Sequence, residues 1–259
     1  MEKTIVEIYN SIKFFKDGKN NLQPTLLYNE GWMLRLVLKW FNDHKEINYI
    51  ISMKNESNWF SEALLKPKFI AMEKGDKLAE RHTHADGIYG NFKIGGEGFG
   101  DAVLNENCNQ FYVIEAKMFS ELSPGVTNAP NYNQASRNVA CICNLIPDGK
   151  TIDTGFFVII PESQIENEKT FKEFVDKEHI VKNVGERISQ YNGRNDFSEK
   201  ETWYKSKFLP FMETINIKLL TWEEIIKFIK ENDPIYGSEL EEFYKQCIYY
   251  NRYSKILYM

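Results

Sequence analysis

The sequence predicts an α/β core with a helical C-terminal layer, on three observations. Gly87, Gly90, Gly95, Gly96, Gly98 and Gly100 break one region into short β-like pieces. Phe156-Phe157-Val158-Ile159-Ile160 is an unbroken apolar run, the pattern of a central strand buried on both faces. The sequence beyond it is charged and mostly helical in period.

The elements follow in order. After Pro24, Leu27, Leu34, Val37, Leu38 and Phe41 recur at helical spacing and predict a helix over residues 25–42. Residues 54–68 read as a second helical or irregular stretch ending near Pro67. Residues 88–94, 101–104 and 110–117 read as three strands, the last two joined by the polar turn 105–109. A loop rich in Ser, Pro, Gly and Asn spans 120–131, and a helix follows over 132–145, stopped by Pro147-Asp148-Gly149. Then come the apolar strand, helices over 168–190 and 200–214, a short strand over 217–220, and a helix opened by the capping box Thr221-Trp222-Glu223-Glu224. A last helix covers 238–250. The expected organisation is a core over residues 1–165, with 166–259 a mostly helical extension packed on the same domain.

Composition narrows the classes. A chain of 259 residues can bury a full core. A net charge of −5 argues against a protein that coats nucleic acid through bulk positive charge, though not against an enzyme with a local basic groove. The N-terminus opens no signal peptide and no apolar run approaches a membrane span, so a cytoplasmic protein without a membrane partner is expected. Cys108, Cys141, Cys143 and Cys247 form neither a CxxC pair nor a disulfide framework; Cys141 and Cys143 read as buried thiols.

Chemistry concentrates at Glu115-Ala116-Lys117, at the end of the apolar strand led by Tyr112-Val113-Ile114. Residues two apart on a strand share a face, so Glu115 and Lys117 project together. Two charges buried there need a partner or a task. Asp101, one short hairpin upstream, offers a second carboxylate for a divalent metal; it also reads as a turn aspartate. Asp86, in His84-Ala85-Asp86-Gly87, is its rival. Glu30 falls on the apolar face of the first helix, three residues after Leu27 and four before Leu34; as a helix-edge residue it would instead reach solvent or pair with Arg35. Gln134 and Arg137, with Asn138 and Cys141 on the same helix face, could orient a phosphate or an attacking water.

Together, Asp101, Glu115-Ala116-Lys117, a glutamate in the preceding helix and Gln134 in the following one resemble the PD-(D/E)xK nuclease superfamily over residues 25–161. Gly100 stands where the motif's name has proline. The resemblance implies a restriction-endonuclease-like fold, with a central mixed sheet flanked by helices. It implies that Asp101 and Glu115 ligate Mg²⁺ (or Mn²⁺), with Glu30 direct or through water and the Ala116 carbonyl facing the same ion. It also implies that Lys117 positions or deprotonates the attacking water and that Gln134 supports the site. Oxygen ligands of this kind suit those metals rather than zinc. The implied activity is phosphodiester hydrolysis, with DNA the expected partner, in restriction, defence or repair; a homodimer stays open.

Two other readings stand beside it. A nuclease fold kept as a catalytically silent nucleic-acid-binding or interaction module would have lost a carboxylate or the lysine. An HxH-type metallohydrolase would use His82, His84 and Asp86, which share a face on a strand. For nucleic-acid contact, the 120–131 loop borders the expected site. Arg187, Arg194, Lys200, Lys205 and Lys207, interleaved with Tyr191, Trp203 and Tyr204, form either a basic and aromatic wall or a solvated helical face.

Overall fold

The computed structural model describes residues 23–257 apart from 97, 99, 126–128 and 168. The strands are β1 (Asn58–Leu65), β2 (Thr83–Gly90), β3 (Phe92–Ile94), β4 (Ala102–Leu104), β5 (Gln110–Ala116), β6 (Asp153–Ile160) and β7 (Asn216–Thr221). The helices are α1 (Glu30–Asp43), α2 (Gln134–Leu145), α3 (Glu162–Asn167), α4 (Lys169–Phe174), α5 (Lys177–Ser189), α6 (Phe197–Trp203), α7 (Leu209–Thr214), α8 (Trp222–Asn232) and α9 (Pro234–Leu257).

Five strands form one sheet in the order β1-β2-β5-β6-β7. β1, β2 and β5 run antiparallel, while β5, β6 and β7 run parallel, so the sheet is mixed. Every residue of β5, and all of β6 after Asp153, is buried, as their apolar runs require. Helices cover both faces. Met33, Leu34 and Val37 of α1 and Ile225 and Ile229 of α8 pack with Tyr112, Ile114 and Phe157 on one side. Val139 and Ile142 of α2 and Ile180 and Val184 of α5 pack with Val113, Phe156 and Val158 on the other. No helix among the described residues is long and apolar enough to cross a membrane.

Local sequence explains most boundaries. Asn29 caps α1 by accepting the Trp32 amide at 2.9 Å, and Thr221 and Glu224 close the capping box that starts α8. A Cβ on Gly87 would meet Leu34 Cδ2 at 2.8 Å and Leu38 Cδ1 at 3.0 Å. The missing side chain is what lets α1 lie close against β2.

Several expectations change. Residues 54–68 hold an edge strand, β1, and not a helix; Glu62 takes a φ of 59°, which interrupts the two-residue alternation that marks a strand. The expected strand over 88–94 is two, β2 and β3, parted at Gly90, whose φ of 138° is open to glycine. The helix expected over 168–190 divides where Asp176 caps α5 by accepting the His179 amide at 2.9 Å. The helix expected over 200–214 contains a π-helical stretch, Tyr204–Phe208, ahead of Pro210, which has no amide to give. The short strand expected over 217–220 is β7, which completes the sheet from within the mostly helical 166–259 stretch.

Part of the expected basic and aromatic wall folds inward, while Lys205 stays exposed. Arg187, Tyr191, Lys200 and Trp203 are buried. Arg187 sits among Phe69, Tyr132 and Tyr191 and bonds Glu80 at 3.1 Å. Lys200 pairs with Asp196 at 2.7 Å and Arg194 with Asp76 at 2.9 Å. These residues tie the 66–82 segment to the C-terminal helices.

Candidate active site

β2 and β5 pair from Gly90–Phe111 as far as Gly87–Ile114. One further step in that register sets Asp86 opposite Glu115. There the ladder ends, and the Asp86 carboxylate enters the opening and accepts the Ala116 amide at 2.8 Å. The amide and carbonyl of one strand residue point to the same side, so the Ala116 carbonyl also faces this opening. Lys117 closes the group. Its ammonium donates to Glu115 and lies 3.8 Å from Asp86. Its backbone is fixed from the other side, where its amide bonds the Ile159 carbonyl at 2.9 Å and its carbonyl accepts the Trp222 indole at 3.0 Å.

α2 supplies the second wall. Gln134 donates its amide to Glu115, while its own Oε1 accepts the Ser123 amide at 3.1 Å. Its backbone amide bonds the Ser123 carbonyl at 2.9 Å, so the loop after β5 fixes both ends of this residue. Asn138, one turn on, donates to the other Glu115 oxygen at 3.4 Å; its Oδ1 is buried without a partner. Glu30, the first residue of α1, approaches from the opposite helical layer and is half-buried. Its carboxyl feels the charges of Asp86, Lys117 and Glu62.

Electrostatics follow from three carboxylates sharing one ammonium. Burial first, then the Asp86 charge, pushes the Glu115 carboxyl up to about 8. Burial would lower the Lys117 ammonium, but the Glu115 and Asp86 charges outweigh it and hold its pKa above the ordinary value. Burial raises Glu30 as well. With all four ionised the group carries two uncompensated negative charges, which a divalent cation would balance.

The backbone is strained at the same place. Among described residues, Glu62 (φ 59°) and Phe119 (φ 66°) are the non-glycine residues in left-handed conformation. Glu62 lies across β1–β2 from Asp86, between the pairs Ser61–Gly87 and Ala63–Ala85. Phe119 follows Lys117 by two residues. Such conformations cost about 1–3 kcal/mol each and gather at functional sites.

Of the residues expected from sequence, Glu30, Glu115, Lys117 and Gln134 converge, and Asp101 does not. β4 pairs with β3, and Asp101 itself bridges to Leu64 on β1. β1 and β2 therefore lie between Asp101 and β5, roughly three strand spacings of about 4.8 Å away. Asp101 instead braces the glycine hairpin, its carbonyl accepting the Gly95 amide at 2.9 Å. Asp86 holds the position that the hairpin reading gave to Asp101. The sequence places Asn138 on the helix face of Gln134 without a role of its own; the structure gives it one, as the second donor to Glu115. His82 and His84 make no described hydrogen bond or ion pair to Asp86, and His84 is exposed. The middle of the 120–131 loop, residues 126–128, lies outside the described residues.

No group of three or more His, Cys, Asp or Glu among the described residues is spaced as a ready-made metal cage. The donors present nonetheless suit a hard divalent cation. Mg²⁺ keeps several waters and binds through one or two carboxylates, and Asp86, Glu115 and the Ala116 carbonyl supply that oxygen set. The unpartnered Asn138 Oδ1 beside Glu115 is an acceptor available to a metal-bound water. The chain matches no protein-family model, no curated protein and no solved structure, which leaves the geometry of these residues to speak for their chemistry.

Proposed function

We propose that the chain is a Mg²⁺- or Mn²⁺-dependent nuclease of restriction-endonuclease-like type, hydrolysing phosphodiester bonds, with DNA the expected substrate. One observation carries the reading. Asp86, Glu115 and Lys117 converge where β2 and β5 part, with Gln134 of α2 holding Glu115. We place this activity in the cytoplasm, as the sequence expectation had it.

Asp86 and Glu115 would hold the cation, with the Ala116 carbonyl and with Glu30 through water. Once bound, the cation supplies Lewis-acid stabilisation of the phosphate and a more acidic water. Gln134 and Asn138 fix the Glu115 rotamer, so the carboxylate is aimed before substrate arrives. Lys117, kept protonated by its carboxylate neighbours, donates to the attacking water or to a phosphate oxygen and steadies the charge that develops there. Its raised pKa favours positioning over proton abstraction. In the balanced reaction, water oxygen bonds to phosphorus and the bond from phosphorus to the leaving sugar oxygen breaks. The water proton passes to a carboxylate of the cluster, a role we give to Glu30, whose carboxyl burial holds above its ordinary value. The leaving oxygen takes a proton from solvent.

The test is cleavage of circular duplex, linear duplex and single-stranded DNA and of RNA, in Mg²⁺ or Mn²⁺ and in chelator. Lys117→Ala and Glu115→Ala proteins, checked for folding, run alongside. Metal-dependent cutting lost in both variants supports the reading. Folded wild-type protein that cuts nothing would overturn it in favour of a silent binding module. Cutting that survives both substitutions would overturn the site.

A further inference from the structure

Trp40, Trp203 and Trp222 are buried, but Trp32 leaves 42% of its surface in solvent. A single exposed apolar side chain needs no explanation by itself. The place of this one, and the way it is held, give it a role.

The cluster opens towards the same edge of the molecule. Side-chain exposure rises from 1% at Glu115 through 11% at Lys117 and 25% at Asp86 to 55% at Glu62. The way in from solvent therefore passes Asp86 and Glu62, on the edge-strand side of the sheet, where α1 begins. Trp32 stands two residues after Glu30 on the first turn of α1, which puts their Cα atoms about 5.5 Å apart. The Glu30 carboxyl in turn feels the charges of Asp86, Lys117 and Glu62. Arg35 ties the ring to that rim. Its guanidinium lies over the indole, 5.0 Å from the centroid, and donates to Ser61 Oγ at 2.8 Å and to Glu62 at 3.4 Å. Ser61 pairs with Gly87, the neighbour of Asp86. The indole thus stands on the rim of the opening, one face backed by a guanidinium that is anchored to β1. Since Arg35 is paired with Glu62, this rim offers ring surface and not a free cation.

We propose that Trp32 stacks an unpaired base of the substrate strand beside the scissile phosphate, so that the favoured substrate is single-stranded or carries an unpaired nucleotide next to the cut. This rests on the nuclease reading and names its substrate class. An indole offers a flat π-face to any base, and a guanidinium over its other face holds the ring in place before the strand arrives. Inside a duplex each base face is covered by its neighbours, so only an unpaired nucleotide can supply one. Stacking also suits a chain of net charge −5, because it draws on ring area and not on a basic surface.

The experiment uses the full chain and one single-stranded oligonucleotide that it cuts in Mg²⁺, prepared as a series with a single abasic site at each position flanking the cut, together with the matching duplex. Wild-type protein is expected to lose about tenfold or more in kcat/KM when one adjacent base is missing, the usual worth of a base stacked on an aromatic ring. Trp32→Ala is expected to raise KM on the intact strand and to be indifferent to the abasic site at that position, with Trp32→Phe between the two. Wild type is expected to prefer the single strand to the duplex, and Trp32→Ala to lose most of that preference. Equal abasic sensitivity of wild type and Trp32→Ala at every position would overturn the proposal, as would cleavage confined to the duplex. So would a fall in thermal midpoint with KM unchanged, which would make Trp32 a structural cover for Arg35. Should Trp32→Ala not fold, the wild-type series and Trp32→Phe decide it, since no sensitive position means no stacked base. Wild-type protein that cuts no nucleic acid would sink the nuclease reading and this proposal together; cutting of single strands without the Trp32 effect sinks this proposal alone.

Discussion

Glu115 is the residue on which the site's energetics turn. Its carboxyl, ordinarily at 4.5, is pushed up to about 8 by burial and by Asp86. Between those values the folded protein holds a proton that the unfolded chain has released. Stability from this group is therefore complete below the ordinary value and is lost as pH rises through about 8. In chelator, the thermal midpoint is expected to fall from pH 5 to pH 9 more steeply than in Glu115→Gln protein. Saturating Mg²⁺, which binds the ionised form, is expected to flatten the wild-type curve and to release a proton on binding at neutral pH. An identical pH dependence in wild type and Glu115→Gln would mean that Glu115 is not the group titrating. Lys117 is held protonated by the same neighbours, and Lys117→Ala is expected to lower kcat by about 10²–10⁴-fold, the usual worth of a positioned proton-transfer or charge-stabilising group.

Single contacts decide where elements sit around the cluster. The indole of Trp222, at the start of α8, bonds the Lys117 carbonyl at 3.0 Å within the interior. Trp222→Phe keeps most of the packing but leaves that carbonyl unpaired; it is expected to cost about 1–3 kcal/mol in urea unfolding and to lower activity by loosening Lys117. Unchanged stability would show that the carbonyl finds another donor. On the other face, Gly87→Ala places a methyl 2.8 Å from Leu34, and the resulting overpacking is expected to cost about 1–3 kcal/mol. Because α1 carries Glu30 on its first turn, the same change is expected to move that carboxyl away from the cluster. A Gly87→Ala protein as stable as wild type would mean that the two leucines give way freely.

At the scale of the whole molecule, the mixed sheet and its two helical faces are built around β5 and β6, the two strands whose continuous apolar sequence was easiest to read. Arg187 shows what the exterior lacks. Buried against Glu80 and three aromatic rings, it is a structural cation, and Arg187→Met is expected to cost about 3–5 kcal/mol, as breaking a buried pair does. Lys205→Ala, at an exposed pair with Glu201, is expected to stay within about 0.5 kcal/mol of wild type. Comparable effects of the two in urea unfolding would contradict this inside–outside assignment. Helical period in the sequence located these side chains on helices but could not say which face meets the 66–82 segment. The Glu115-Ala116-Lys117 strand end, Gln134 on the next helix and Glu30 on the first were legible because periodicity fixes facing within one element. Asp101 was misplaced for the complementary reason: strand pairing is set between elements. The left-handed Glu62 hid β1, and without β1 the hairpin carrying Asp101 looked like β5's neighbour.

The choice between the two aspartates is therefore the most direct test of the account. The measurement is kcat/KM for DNA cleavage in Mg²⁺ by wild-type, Asp86→Asn and Asp101→Asn proteins of verified folding. The expected result is a loss beyond about 100-fold for Asp86→Asn, larger than a residue behind the ligands would cause, with Asp101→Asn near wild type. Loss in Asp101→Asn with Asp86→Asn still active would contradict the convergence of Asp86, Glu115 and Lys117 as the catalytic centre.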